Sequence, residues 1–373
     1  MEYRYLDQND ENAINALLQE WSSKHPQGGA LVYVAERDKD SISRVQQAAK
    51  ANNFPVVGGV FPEVIVDGVM NNTGALYMLL PKMPTNSLIS IPEQADATEI
   101  AALITEKFPI DENSDTNSVL MLFDGMIPNV ASVIDALYLE WGDDVKYMGS
   151  NVGSETFQSI PCLFNNDRFI ANAALMMLIP NSDGAIVEHN YRYMEKEMPA
   201  TSTMGNRIST IDWRPAFEVY QELAAKQYNL EINKDNFYDF GVHYPFGIVK
   251  ADGEALIRIP VGMDDDGALF CVGEVPENSM LTLMKAIPAD SPDTTDSIQN
   301  QLSSRNADAL MVFYCAGRRM HLGASSSQEL TELRDKIAPV HVIGALSLGE
   351  IGGSKQDSYP LFHNATIAAV PCR

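Results

Sequence analysis

Three stretches decide the fold: Ala30-Leu-Val-Tyr-Val-Ala35, Ser118-Val-Leu-Met-Leu-Phe123 and Ala309-Leu-Met-Val-Phe-Tyr314. Each is a short, nearly continuous apolar run, the pattern of a strand buried on both faces. A helical segment follows each one: Ser41 to Ala51, Asn129 to Trp141 and Ser326 to Ala338. Their apolar residues recur at spacings of three and four, as in Ile42, Val45 and Ala49, or Val130, Val133, Ile134 and Leu137. In the last helix Leu330, Leu333 and Ile337 form the stripe, and Ser327 is placed to cap its free N–H groups.

Each helix leads into a second apolar strand that ends in glycine: Val56-Val57-Gly58, Tyr147-Met148-Gly149 and Val342-Ile343-Gly344. A polar turn carrying glycine and glutamate comes next, at 59–63, 153–155 and 349–350. A final apolar run closes each unit, at Ala75 to Leu80, Ala173 to Ile179 and Ala365 to Val370. The pattern predicts an α/β protein whose mixed sheets are built from repeated strand–helix–strand–turn–strand units. A helical crossover makes the first two strands of each unit parallel. The three Gly–Glu corners are expected around a shared hollow.

Between the second and third units the pattern changes. Residues 190–210 are rich in Pro, Gly, Ser and Thr and read as a connecting loop. A helix from Pro215 to Gln227 and strands near 244–250, 255–260, 267–272 and 280–285 follow, with Asp264-Asp265-Asp266-Gly267 as a turn. It lacks the spaced later ligands of a calcium loop. Two domains are expected, 1–211 and 212–373.

Composition narrows the function. The chain has 373 residues, 45% apolar and 20% charged, with 50 acidic against 26 basic side chains and a net charge of −24. That is a folded chain long enough for two cores. Its charge repels phosphate backbones and anionic headgroups, which argues against nucleic acid and membrane partners. Cys162, Cys271, Cys315 and Cys372 are too far apart for a Cys-x-x-Cys pair and suit a reducing compartment. The N-terminus has no signal-peptide pattern. The most apolar run, Ala173 to Ile179, is far below the roughly 20 residues a membrane span needs. A cytoplasmic protein is expected.

Two segments carry a family resemblance. Val342-Ile-Gly-Ala-Leu-Ser-Leu-Gly-Glu-Ile351, followed by Leu361-Phe-His-Asn-Ala-Thr-Ile367, resembles the C-terminal signature of the FIST family of sensory domains. Leu310-Met-Val-Phe-Tyr-Cys-Ala-Gly-Arg318 resembles that family's strand ending in a cysteine and an arginine. Tyr244-Pro-Phe-Gly-Ile248, Ile257-Arg258 and Val272-Gly-Glu-Val-Pro-Glu-Asn-Ser279 look like the start of its C-terminal domain. Phe54-Pro-Val-Val-Gly-Gly59 with Glu63 departs from the N-terminal pattern, because Phe61-Pro62-Glu63 replaces the usual Gly-Glu pair. The resemblance implies a non-enzymatic FIST N-terminal and FIST C-terminal pair that binds a small ligand. It would signal through a separate histidine kinase or cyclic-dinucleotide enzyme. One branch of the family, the NosP-like nitric-oxide sensors, is haem-binding, and haem with a histidine kinase partner is the alternative it implies.

Candidate ligand-binding residues follow from placement. Gly344, Ser347, Gly349 and Glu350 lie where a parallel strand ends, the usual ligand crevice of an open α/β sheet; a plain structural turn is the other reading. Asn364 and Thr366 stand near Glu350 if the last strand returns antiparallel, and Asn364 offers a donor and an acceptor. Arg258, Arg318 and Arg319 can clamp a carboxylate or pair internally. Cys315 follows a buried strand and is a ligand contact or an apolar filler. Among the histidines, His243 beside Tyr244-Pro245-Phe246 is the first candidate haem ligand, with His363 and His321 after it. No Ser/His/Asp or Cys/His arrangement and no phosphate loop can be read from the sequence.

Overall fold

The expected parallel pairs form. In the computed structural model Gly29–Ala35 lies beside Val56–Phe61, Asn117–Asp124 beside Val145–Val152, and Ala309–Cys315 beside His341–Ser347. The structure describes residues 1–110, 117–143, 145–179, 182, 184–193, 197–251, 253–286, 288, 291–353 and 359–373. Helices Ile42–Ala51, Val130–Trp141 and Ser325–Ile337 make the three crossovers. Strands Ala75–Leu80, Ala173–Ile179 and Ile367–Cys372 pair antiparallel with the other edge of each first strand. Beyond them lie Tyr3–Leu6, Asn86–Ser90 and Ile186–Glu188. The expected Ser327 cap is corrected. The last helix begins at Ser325 without a side-chain cap, and Ser326 Oγ instead donates to Gly323 O at 2.7 Å.

The segment after each second strand, which reads as a turn in the sequence, contains a hairpin, and the hairpins are exchanged. The hairpin Val64–Val66/Val69–Asn71 of the first unit completes the third unit's sheet, against His341–Ser347. Leu163–Asn165/Phe169–Ile170 of the second pairs with Val56–Phe61 of the first. Glu350–Gly353/Pro360–His363 of the third pairs with Val145–Val152 of the second. All three six-stranded sheets therefore have one strand order: edge, closing, first, second, borrowed hairpin. No unit completes its sheet from its own segment of chain.

The recurrent glycines follow from this arrangement. Gly58, Gly149 and Gly344 stand opposite Val32, Met121 and Val312 in the parallel pairs and opposite Phe164, Ile351 and Ile65 in the borrowed hairpins. A Cβ on any of them would lie 1.8, 1.8 or 1.9 Å from the carbonyl oxygen of its parallel partner. Gly149 and Gly344 also hold φ of +148°, a conformation costly for any other residue. The close approach that glycine permits here is that of a strand.

The three sheets share one apolar core. It gathers Tyr33, Phe61, Leu122, Met148, Met311, Phe313 and Ala345 from all three units. Each fully buried aliphatic side chain of this kind contributes about 1.5–3 kcal/mol. Separate clusters bury the helices of the second and third units on the outer faces.

A fourth, nine-stranded antiparallel sheet is inserted between the edge strand Ile186–Glu188 and the helix Asp293–Leu302 of the third unit. It packs on the helix Ala216–Tyr228 through Tyr220, Phe237, Phe246 and Leu283. The expected loop over 190–210 is corrected, apart from 194–196, which lie outside the described residues. Met198–Met204 and Arg207–Ile211 form a hairpin of this sheet. Register shifts at Ala200/Ser202 and Ser202/Thr203 break the alternation by which a strand is recognised. Residue 212 stands in the tight connection between Arg207–Ile211 and Arg214–Pro215. Among the described residues no helix is long and apolar enough to cross a membrane.

Replacing Gly149 or Gly344 by alanine is predicted to cost about 3 kcal/mol or more, because backbone must move. Gly142→Ala, at φ +68° but with open space around it, should cost only about 1 kcal/mol. Thermal unfolding of the three variants gives the ranking.

Candidate ligand-binding site

The exchange of hairpins brings the three corners together. Gly153 N donates to Val60 O at 2.9 Å and Leu346 N to Glu63 O at 2.9 Å. Asn151 N donates to Gly349 O at 2.9 Å, and Leu348 N returns to Asn151 O at 3.1 Å. The expected shared hollow is corrected, because apolar side chains fill the space between the sheets. The rings of Tyr33, Phe61 and Phe313 meet there at centroid separations of 4.6 to 6.3 Å.

The concavity lies to one side, where the corners meet the inserted sheet. A cavity of about 320 Å³ opens there. One wall comes from the inserted segment: Tyr238, Val242, Ile259, Val261 and Val272. The other comes from the third unit through Cys315, Ala316, Gly317, Met320, Leu348 and Asn364, and the second unit adds Glu155 and Phe157. Phe157, Tyr238 and Met320 are 50%, 53% and 54% exposed, so large apolar side chains surround the mouth.

Arg319 lines this cavity and ties the corners electrostatically. Its Nη1 donates to Glu63 Oε1 at 2.6 Å and its Nη2 to Glu155. Among the described residues, the first unit's corner thus reaches the cavity through this ion pair and not as part of its lining.

Asn364 is 1% exposed, and neither its Nδ2 nor its Oδ1 has a hydrogen-bond partner among the described residues. Its neighbour Ala365 holds φ of +56°, a left-handed conformation uncommon outside glycine. Cys315 Sγ fixes that turn by accepting from Ala365 N at 3.1 Å, and Ala365 O accepts from Arg318 Nη1 at 3.3 Å.

Behind Cys315 lies Glu350. Its carboxylate, fully buried, accepts from Ser347 Oγ at 2.6 Å and Thr366 Oγ1 at 2.7 Å. Burial pushes its pKa up to about 7, against the pull of those hydroxyls and the Cys315 thiol. Burial likewise raises the Cys315 thiol well above its ordinary value. Ser347, Glu350 and Thr366, singled out in the sequence, thus form one cluster. Of the residues singled out, Asn364 and Cys315 line the cavity, while Gly344, Ser347, Gly349, Glu350 and Thr366 do not.

The arginines divide. Arg318, buried, pairs with Glu329 at 2.5 and 2.8 Å and also donates to Thr294 at 2.8 Å and His189 O at 3.0 Å. Tyr314 donates to the same glutamate at 2.6 Å. Arg258 donates to three backbone carbonyls, of Glu274, Ile257 and Phe362, at 2.7 to 3.0 Å. Burial lowers its pKa to about 10. It lines a second cavity of about 400 Å³ with Glu274 and Tyr359, and pins the inserted sheet to the third unit. The carboxylate clamp expected of Arg318 is corrected, because Glu329 already occupies its guanidinium; Arg258 lines the second cavity and not that of Asn364.

The histidines do not present an axial ligand to this cavity. His243 turns Nδ1 to Nδ1 of His321, with ring centroids 4.8 Å apart, leaving no room between the rings for a porphyrin iron. Val242, not His243, lines the cavity. His363 is buried, its Nε2 at 3.3 Å from Gly352 O. The residues present do not fit haem. Among the described residues, no group of three His, Cys, Asp or Glu side chains is placed to hold a metal ion.

Two outcomes follow from the buried charges. Arg318→Met leaves Glu329 buried without its cation and should cost about 3–5 kcal/mol in thermal or denaturant unfolding. Glu350 keeps its proton to about pH 7 in the folded chain, against an ordinary value of 4.5. The folded state therefore binds more protons in that window, and Glu350's contribution to stability falls as pH rises from about 4.5 to 7. In paired melts Glu350→Gln should lose that component, gaining on the wild type through the window and holding level above it. A pH-independent difference would contradict the assignment.

The sequence also matches known domain families. A FIST N domain model matches residues 30–214 and a FIST C domain model residues 216–353. No curated protein matches the chain. The two models together cover all three corners and most of the cavity lining, and the chain belongs to the FIST family of sensory domains.

Proposed function

We propose that this chain is an intracellular sensory protein that binds a small molecule in the cavity beside Asn364 and signals through a separate partner. The observation that carries the reading is the origin of the cavity wall. Inserted sheet, third unit and second-unit corner each supply part of it. A guest that touches all three has a different affinity for each relative pose of those parts. Such a difference is what a ligand needs to shift a conformational equilibrium.

Binding without chemistry suits the lining. It is mostly apolar with few polar groups, the composition of a recognition pocket. The Cys315 thiol is held protonated by burial and is a poor nucleophile. The partner in this reading is the histidine kinase or cyclic-dinucleotide enzyme that the motif resemblance implies; family membership itself supports only the sensory input.

Thermal-shift measurement with amino acids, small carboxylates and their neutral amides tests the site. A ligand at 100 times its dissociation constant should stabilise the fold by about 2.7 kcal/mol. Val261→Trp, which fills the cavity, should abolish the shift. Stabilisation that survives Val261→Trp, or none from any compound, would contradict the reading.

A further inference from the structure

The hairpin Phe246–Val249/Ala255–Arg258 of the inserted sheet presents its two faces to different places. Ile257 and Ala255 turn to the seam, with Val242 and Ile259. Ile248 stands opposite Leu256, and Arg258 opposite Phe246, so Ile248, Leu256 and Arg258 share the other face. These three residues and Lys250, the next in their row, line the second cavity of about 400 Å³. Its floor therefore runs from Arg258 over two aliphatic side chains to Lys250, about 13 Å away at the rise of a strand.

The guanidinium of Arg258 is incompletely engaged. Nε donates to Glu274 O, and Nη1 to Ile257 O and Phe362 O, all of them neutral acceptors. Nη2 has no hydrogen bond to a described residue. Although Arg258 is otherwise buried, this nitrogen, unlike the amide atoms of Asn364, is not closed off from solvent. The cavity is where it meets open space.

The acids nearby are held by other donors. The Glu274 carboxylate accepts from Ser132 N at 3.0 Å and from Ser132 Oγ, and Asp135 Oδ1 accepts from Tyr359 Oη at 2.8 Å. Glu277, the remaining acid of the lining, is exposed to water, where its field is screened. A buried cation with no anion against it is the costly arrangement, and a carboxylate complements it through a charge-assisted hydrogen bond.

We propose that this second cavity binds a carboxylate carrying a short linear apolar chain. Arg258 Nη2 donates to the carboxylate, and the chain lies over Leu256 and Ile248. An ammonium head would place a second positive charge beside Arg258, and a neutral amide would leave its charge unmatched. The site is separate from the cavity beside Asn364, whose lining includes neither Arg258 nor Lys250. Its volume is within the range of small-ligand pockets.

Hexanoate, hexanamide and hexylamine share one chain and differ in head group. Ligand-observed NMR of the full chain at millimolar probe gives their affinities, and the methyl shifts of Ile248, Leu256 and Val275 locate them. Hexanoate should bind at least about tenfold more tightly than the amide or the amine, and should move those methyl signals. Thr203→Trp, at the half-buried wall of the cavity, should abolish its binding. Arg258→Gln would also strand three carbonyls, so the head-group series and Thr203→Trp carry the test.

Hexanamide or hexylamine binding as tightly as hexanoate, hexanoate binding that survives Thr203→Trp, or no binding at all would overturn the proposal. Val261→Trp fills the other cavity and should leave hexanoate unaffected; loss of binding there would move the carboxylate to that cavity and overturn the proposal too. Thr203→Trp closes the site at Arg258, so the stabilisation test of the cavity beside Asn364 is run in that background. There the failure of one site cannot be mistaken for the failure of the other.

Discussion

The exchange of hairpins is the constraint on which the rest of the molecule depends. A parallel pair exposes an edge of unpaired N–H and C=O groups, and each second strand here has that edge covered by a hairpin from another unit. The cycle closes: first onto third, second onto first, third onto second. At the midpoint of each second strand a Cβ would run into the carbonyl oxygen of the parallel partner, which is why glycine recurs at 58, 149 and 344. The chain that leaves each second strand must also turn toward another unit, so the corners converge.

Convergence of the corners creates the seam but does not create the cavity. The interior between the sheets is filled, and the corner main chains satisfy one another. The cavity exists because the third unit is interrupted by the inserted sheet, whose apolar edge packs against it through Ile257, Ile259, Val242 and Ala365 without filling the mouth. Helix Ala316–Leu322 is the element common to all of this. Arg318 points into the buried network, Arg319 to the corners, and Ala316, Gly317 and Met320 to the cavity.

Much of this is legible in the sequence, and the residues show why. Doubly buried strands such as Ala309–Cys315 are nearly continuous apolar runs, so the three parallel pairs can be read directly. The motif Ser347-Leu348-Gly349-Glu350 places a hydroxyl beside Glu350, and an antiparallel return of the last strand adds Thr366. The hairpins escape because strands of two to four residues carry no period, and exchange between units leaves no local trace. The hairpin Met198–Met204/Arg207–Ile211 escapes because its bulges destroy alternation. The roles of Arg258 and Arg318 escape because a buried arginine looks the same in sequence whether it binds carbonyls, a glutamate or a ligand. The signal for the inserted wall, Val242 and Ile259 to Val261, is only apolar and does not distinguish a pocket from a core.

The central claim is that one small molecule joins the inserted sheet to the three-unit body across the seam. Hydrogen–deuterium exchange, with and without a ligand that stabilises the protein, addresses it most directly. Added protection is predicted on both walls together, at 237–242 and 259–261 on one side and at 316–322 and 364–366 on the other. Protection confined to one wall, or appearing at a surface remote from both, would contradict it.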